Sequence, residues 1–165
     1  MITFIEAFKS ELADEAKETK RMLEKVPMDK FDWQPHTRSM KLGVLAYHLA
    51  ELPHMISKAL LKDKWDFAEE EPVDAKSFET NEALLVVFEN AVKDAMDALE
   101  VSSDDILLDK WKLCAGEITY LEIEKWEAVR HALGQNAHHR AQLGVFLRLL
   151  NLPIPGPYGP SADEM

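Results

Sequence analysis

The run Ala128-x-x-x-Ala132-x-x-Gln135-x-x-x-His139-x-x-x-Leu143-x-x-Phe146-x-x-x-Leu150 decides how this chain folds. Its steps of four, three, four, four, three and four residues keep returning to one side of an α-helix. Upstream, Thr119-x-x-Glu122 reads as a capping box that opens the helix. The result is one continuous helix of roughly 45 Å, at about 1.5 Å per residue. Its stripe is apolar at both ends and polar in the middle, where Gln135 and His139 stand. Such a stripe has to be buried against other elements, so the long helix implies partners of comparable length.

The rest of the chain supplies them. Phe4 or Ile5, Phe8, Leu12, Ala16, Thr19 and Leu23 recur at helical steps, so residues 2–25 form a first amphipathic helix, ended by Pro27. The segment from Asp32 to Ser39, with Pro35 inside it, is a loop, and Ser39 is a candidate N-cap for a second helix. That helix carries Leu42, Leu45, Leu49, Leu52 and Ile56 on one face, and Pro53 either kinks it near Leu49 or ends it. Residues 62–77, including Glu69-Glu70-Glu71-Pro72, read as a solvated charged connection. A third helix follows from Phe78 to Leu99, with Leu85, Phe88, Val92, Ala95 and Leu99 facing inward, and Ser102-Ser103-Asp104-Asp105 closes it. Residues 106–118 fit no period cleanly, although Trp111-Lys112-Leu113 suits a short extended piece. The proline- and glycine-rich tail, 152–165, cannot be helical and suits a fixed wrap folding back over a bundle end near the site. Four striped helices without a strand-rich region or a repeat predict an all-α fold: a four-helix bundle in one domain spanning 1–165.

Composition narrows the function classes. The net charge of −11 over 165 residues argues against a nucleic-acid partner, which needs clustered Lys and Arg. No apolar run approaches the roughly 20 residues that span a membrane, and the start Met1-Ile2-Thr3-Phe4-Ile5-Glu6 lacks the pattern of a signal peptide. A single cysteine, Cys114, can form no internal disulfide, so a cytoplasmic protein is expected. Cys114 itself reads as a packing residue, with a nucleophile as the alternative.

Polar residues on the inner stripes mark the candidate site. Gln135 and His139 share the stripe of the last helix, and His48 neighbours Leu45, Leu49 and Leu52 on the second. An unpaired buried polar group costs about 1–3 kcal/mol, so these three need partners. One solution is a divalent metal held by the imidazoles of His48 and His139 with the Gln135 carbonyl oxygen nearby; the other is a metal-free hydrogen-bonded cluster. A neutral amide is a poor transition-metal ligand, so Gln135 keeps the metal-free alternative open. His131 and His138 lie about 10 Å apart along the axis and cannot share one ion. His138, at the mouth, is a candidate catalytic proton carrier. His131 reads as a surface or partner-contact residue, and His36 and His54 as structural.

The combination of Ser39-Met40-x-Leu42-Gly43-x-Leu45-Ala46-x-His48-Leu49-Ala50-Glu51-Leu52-Pro53 with His138-His139-Arg140-Ala141-Gln142-Leu143 resembles the DinB (DinB/YfiT-like) family of metalloenzymes. The ending Leu147-Arg148-Leu149-Leu150, Pro153-x-Pro155 and Tyr158-Gly159-Pro160-Ser161-Ala162-Asp163-Glu164 resembles one subgroup of it. The resemblance spans nearly the whole chain and is weakest between 62 and 118. It implies a four-helix bundle with a long crossover connection, often a homodimer. It also implies nickel, zinc or a related ion held by a second-helix histidine and a His-x-x-x-His pair on the fourth. In this sequence those positions fall on His48, Gln135 and His139. The family usually has histidine where Gln135 stands, and a mycothiol-dependent branch has glutamate. Some relatives use low-molecular-weight thiols such as bacillithiol or mycothiol. The resemblance therefore implies a metal-dependent thiol S-transferase or hydrolase acting on a small molecule, with its site between the second and fourth helices. Gln135 keeps the alternative open: a metal-free, non-catalytic bundle that binds a small ligand or dimerises.

Overall fold

Thr3 and Glu6 start the first helix reciprocally. Thr3 Oγ1 accepts from the Glu6 N–H at 3.1 Å, and Glu6 Oε2 from the Thr3 N–H at 2.8 Å. From there α1 runs Phe4–Leu23 in a computed structural model that describes residues 2–71 and 80–165. The second helix begins later than Ser39 suggests. Its N-cap is Lys41, with no capping side chain, and α2 spans Leu42–Glu51. Carbonyls of the preceding loop replace the cap: the Leu42 N–H donates to Trp33 O at 2.8 Å and the Gly43 N–H to Phe31 O at 3.0 Å. Position 43 has to be glycine for this approach, because a Cβ there would sit 2.6 Å from the Phe31 ring.

Pro53 ends α2, and the chain restarts as α3, His54–Leu61. The inward face survives the break, since Leu42, Leu45, Leu49, Leu52 and Ile56 are all buried. Helix α4 spans Asn81–Val101, opened by Thr80, whose hydroxyl accepts from the Ala83 N–H. The expected start at Phe78 lies outside the described residues. Phe88, Ala95 and Leu99 face inward as expected, but Leu85 and Val92 are only half-buried. Leu84, Ala91 and Ala98 take the inner positions instead. Small alanines let α4 approach α3 closely, a packing gain that side-chain hydrophobicity alone does not reveal.

A small sheet lies between the helices in sequence. Strands β1 (Lys64–Asp66), β2 (Lys110–Ala115) and β3 (Ile118–Glu124) are ordered β1-β2-β3, with β1 parallel and β3 antiparallel to β2. Trp111-Lys112-Leu113 is extended, as expected. Thr119 and Glu122, however, belong to β3 and cap no helix. The hairpin turns at Gly116, whose φ of +56° suits glycine. Helix α5 therefore starts at Lys125 and runs to Leu149, 25 residues or about 37 Å. Its first turn is tied by the Glu124 N–H donating to Glu127 Oε2 at 3.0 Å.

Asp66 holds the sheet corner. Its Oδ1 accepts from the Gly116 N–H at 2.9 Å and the Ala68 N–H at 3.0 Å, and Lys64 Nζ lies 3.0 Å from Oδ2. Led by the Gly116 bond, these contacts pull its pKa down to about 2. A depressed carboxylate stabilises the fold above its unfolded value, and this contribution is lost as pH falls toward 2. The Gly116 amide resonance should therefore titrate with a midpoint near 2. A midpoint at the ordinary carboxylate value would mean the corner is not formed in solution.

Helix α1 and the α2–α3 pair each pack against α4 and α5, giving the bundle. The core divides into two apolar clusters. One gathers Leu12, Ile56, Leu99, Trp111 and Leu133; the other gathers Leu23, Leu45, Leu49, Phe88 and Leu143. Between them α1 and α5 contribute a polar layer of Glu15, Thr19, Asn136 and Arg140.

At its end α5 reverses through Asn151, at φ +60°. The Asn151 N–H donates to Arg148 O and the Leu152 N–H to Leu147 O, both at 3.0 Å, which is a Schellman closure. The tail from Leu152 is non-helical, as expected, and straps back along α5 and α1. Asp163 pairs with Arg148, Glu164 with Arg21, and the Tyr158 hydroxyl donates to Glu15 Oε1 at 2.7 Å. Gly156 permits the tight fold of this strap, for a Cβ there would lie 1.8 Å from Gly159 O. None of these partners is His48 or His139, so the strap is tied beside α1 rather than over the histidines. Among the described residues no helix is long and apolar enough to cross a membrane.

Candidate functional site

His48 on α2 and His139 on α5 meet across the bundle. Their ring centroids are 4.7 Å apart and the rings stand at 78° to each other. His139 is buried, whereas His48 is half-buried. Each ring is oriented by a neighbour one turn along its own helix. His48 Nδ1 lies 3.1 Å from Glu51 Oε1, and His139 Nδ1 lies 2.9 Å from Gln142 Oε1. An ionised carboxylate only accepts, so Nδ1 of His48 carries the proton and its Nε2 presents a lone pair. The Gln142 carbonyl sets the same tautomer on His139. Burial pushes the His139 imidazole below its ordinary pKa; the Gln142 bond opposes this, while His48 and His138 reinforce it. The ring is thus held neutral at pH 7.

These features fit the chemistry of a metal ligand pair. Ligating histidines ordinarily give their second ring N–H to a carboxylate or carbonyl, as both do here. Two imidazoles on one ion, with metal–nitrogen bonds of about 2.0–2.1 Å, also have ring centres about 5 Å apart. The set is nevertheless short of a full one. Among the described residues no group of three or more His, Cys, Asp or Glu side chains converges to hold an ion. Gln135, one turn before His139, is half-buried and would add only a neutral amide.

The other candidates separate clearly. His138 is exposed, and its ring centroid lies 4.9 Å from that of His139. His131 is half-buried on α5, away from the pair. His36 accepts from the Arg38 N–H in the loop before α2, a structural role. Cys114 is buried in β2, and burial, followed by Asp66, pushes its thiol up, which suits packing rather than nucleophilic attack.

Periodicity missed several residues that matter. Glu51 and Gln142 look like ordinary helix-surface residues, and only their spacing of three from His48 and His139 hints at orienting roles. Arg140, one position after His139, is 1% exposed. Its guanidinium turns away from the histidines toward α1, donating to Glu15 O at 3.2 Å, Thr19 Oγ1 at 3.1 Å and, from Nη2, the Tyr158 hydroxyl at 2.6 Å. Thr19 Oγ1 in turn donates to Asn136 Oδ1 at 2.6 Å. The polar residues buried on this part of α5 are therefore Asn136 and Arg140 as well as His139, while Gln135 is half-buried.

A model of the DinB family matches the chain over residues 1–165. Among solved structures, the fold is similar to a DinB-like protein from Bacillus cereus, with a TM-score of 0.71 and 19% identity, covering 94% of this chain and 99% of that one. It is also similar to a DinB-like protein from Bacillus subtilis, with a TM-score of 0.69 and 15% identity, covering 92% and 96%. No curated protein matches the chain at a comparable level.

Proposed function

The chain belongs to the DinB family, and from that premise we propose that it is a metal-dependent enzyme of the thiol S-transferase or hydrolase type, with its site between α2 and α5. The observation that carries this reading is the matched orientation of two imidazoles. Glu51 and Gln142 occupy both Nδ1 atoms, which leaves both Nε2 atoms for an ion. His48 and His139 are the ligands, and Gln135 stands in the third family position. A bound zinc or nickel ion would supply a Lewis-acid centre that lowers the pKa of a water or thiol. The chain's own part is to hold His139 neutral, to fix His48 through Glu51, and to offer the exposed His138 ring for moving a proton beside His139. A small-molecule thiol substrate, a homodimer and a cytoplasmic location belong to the same reading.

The lack of a third conventional ligand among the described residues favours a second reading, a metal-free bundle that binds a small ligand or dimerises. Metal analysis separates the two. Protein purified without a histidine tag and dialysed against zinc or nickel is expected to retain the ion. His48→Ala and His139→Ala should each abolish retention while the helical circular dichroism persists. Retention unchanged in both variants, or none in the parent protein, would leave the metal-free reading standing.

A further inference from the structure

We infer that a second cleft, beside the histidine pair, binds a small alkylammonium ion, that is, an organic amine in its protonated form. The cleft encloses about 630 Å³ between α2, α3, α4 and β1, and its walls include Tyr47, Glu51, His54, Trp65, Phe67 and Asp94. That volume lies in the ordinary range of small-molecule sites. It adjoins the histidine pair through Glu51, whose Oε1 faces His48. The inference does not rest on a metal being present.

Three observations select the ligand class. The first is the balance of charge on the cleft lining, where among the described residues Glu51, Glu70, Glu71 and Asp94 are met by one lining lysine, Lys58. Burial holds His54 below its ordinary pKa, so it adds no positive charge at neutral pH. An anion is repelled here, and a neutral ligand leaves the excess negative charge of the lining uncompensated.

The second observation is that the cleft already displays ammonium recognition with a group of its own. Lys58 Nζ sits 2.7 Å from Glu70 Oε1 and 5.9 Å from the centroid of the Trp65 ring. The Trp65 indole N–H donates to the same Glu70 oxygen at 3.0 Å, fixing ring and carboxylate together. A carboxylate beside an aromatic face is the pairing that receives organic cations.

The third is a second ring and a second carboxylate on the lining of the same cleft, Phe67 and Asp94. Phe67 packs against Trp65 with ring centroids 4.9 Å apart. The Asp94 carboxylate has the neutral His54 as its ion-pair neighbour, at 3.6 Å, and no lysine or arginine among the described residues. A bare divalent ion would need several converging donors, and no group of three exists among the described residues. Asp94, Glu51 and the aromatic side chains of the lining therefore suit an ammonium with an apolar stem better than a metal ion.

Titrating the full chain with 1,4-diaminobutane at pH 7 and low salt, by calorimetry and by the Trp65 indole resonance, tests this. Binding should saturate and shift that resonance, while 1,4-butanediol, which carries no charge, should not bind. Asp94→Asn and Phe67→Ala should each weaken binding about threefold or more. Asp97→Asn, on α4 outside the cleft, should leave it unchanged. Non-saturating binding, equal binding of the diol, full affinity in Asp94→Asn, or displacement by equimolar magnesium would overturn the proposal. None of these variants touches His48 or His139, so the outcome is distinct from that of the metal analysis.

Discussion

Arg140→Ala should destabilise the protein by about 3–5 kcal/mol, the largest loss expected from any one substitution here. The guanidinium is 1% exposed and its Nη1 lies 2.6 Å from Glu15 Oε2, on a side chain that is itself only 15% exposed. That oxygen is buried and makes no hydrogen bond, so only the charge of Arg140 compensates it. Truncation therefore leaves the half-buried Glu15 carboxylate without its cation, with the Tyr158 hydroxyl as its remaining side-chain donor. It also removes a donor to Thr19 and one to Tyr158, which releases the tail strap. Urea denaturation reads the loss directly. The double variant Glu15→Leu with Arg140→Met should recover most of it, because replacing both charges avoids the stranded one. A loss below about 1 kcal/mol for Arg140→Ala, the magnitude of an exposed pair, would mean that water reaches the layer.

Gln135→His is the second large effect, and it concerns affinity rather than stability. Positions 135 and 139 are one turn apart on α5, so a histidine at 135 would place a third imidazole beside His139 and His48. If the pair binds an ion, a third nitrogen ligand is expected to tighten zinc or nickel on the order of 100-fold, read by competition with a chromophoric chelator. Because Gln135 is half-buried, the change should move stability by no more than about 0.5 kcal/mol. Unchanged affinity would show that the two histidines face each other for packing and not for an ion.

Much of the fold is legible before any coordinates are seen, and the reasons are local. The α5 stripe is readable because every fourth or third residue from Ala128 to Leu143 is apolar, or polar where polarity is costly. His139 stands out for that reason, and its meeting with His48 follows from two inner faces being brought together. Strand β3 is not legible in the same way. Thr119 and Glu122 satisfy a helix-start signature, while the evidence against it, the pairing of Thr119 with Cys114 and of Glu122 with Lys112, lies across a hairpin. Arg140 is hidden for a related reason. An arginine at a stripe's edge reads as a surface residue, and its half-buried partner, Glu15, is 125 positions away in sequence. The cleft beside α3 is formed by residues from four elements, and no single stretch of chain announces it.

The division of labour along α5 has a consequence for how this protein can change over generations. Asn136 and Arg140 hold the helix to α1 from inside the bundle, whereas Gln135 sits half outside it. A glutamine codon becomes a histidine codon by one base change, and such a change at 135 alters the donor set without disturbing the residues that keep the helices in register. Ligand chemistry can therefore be lost and regained by drift while the architecture is inherited intact, which leaves family membership a poor guide to activity in any one member.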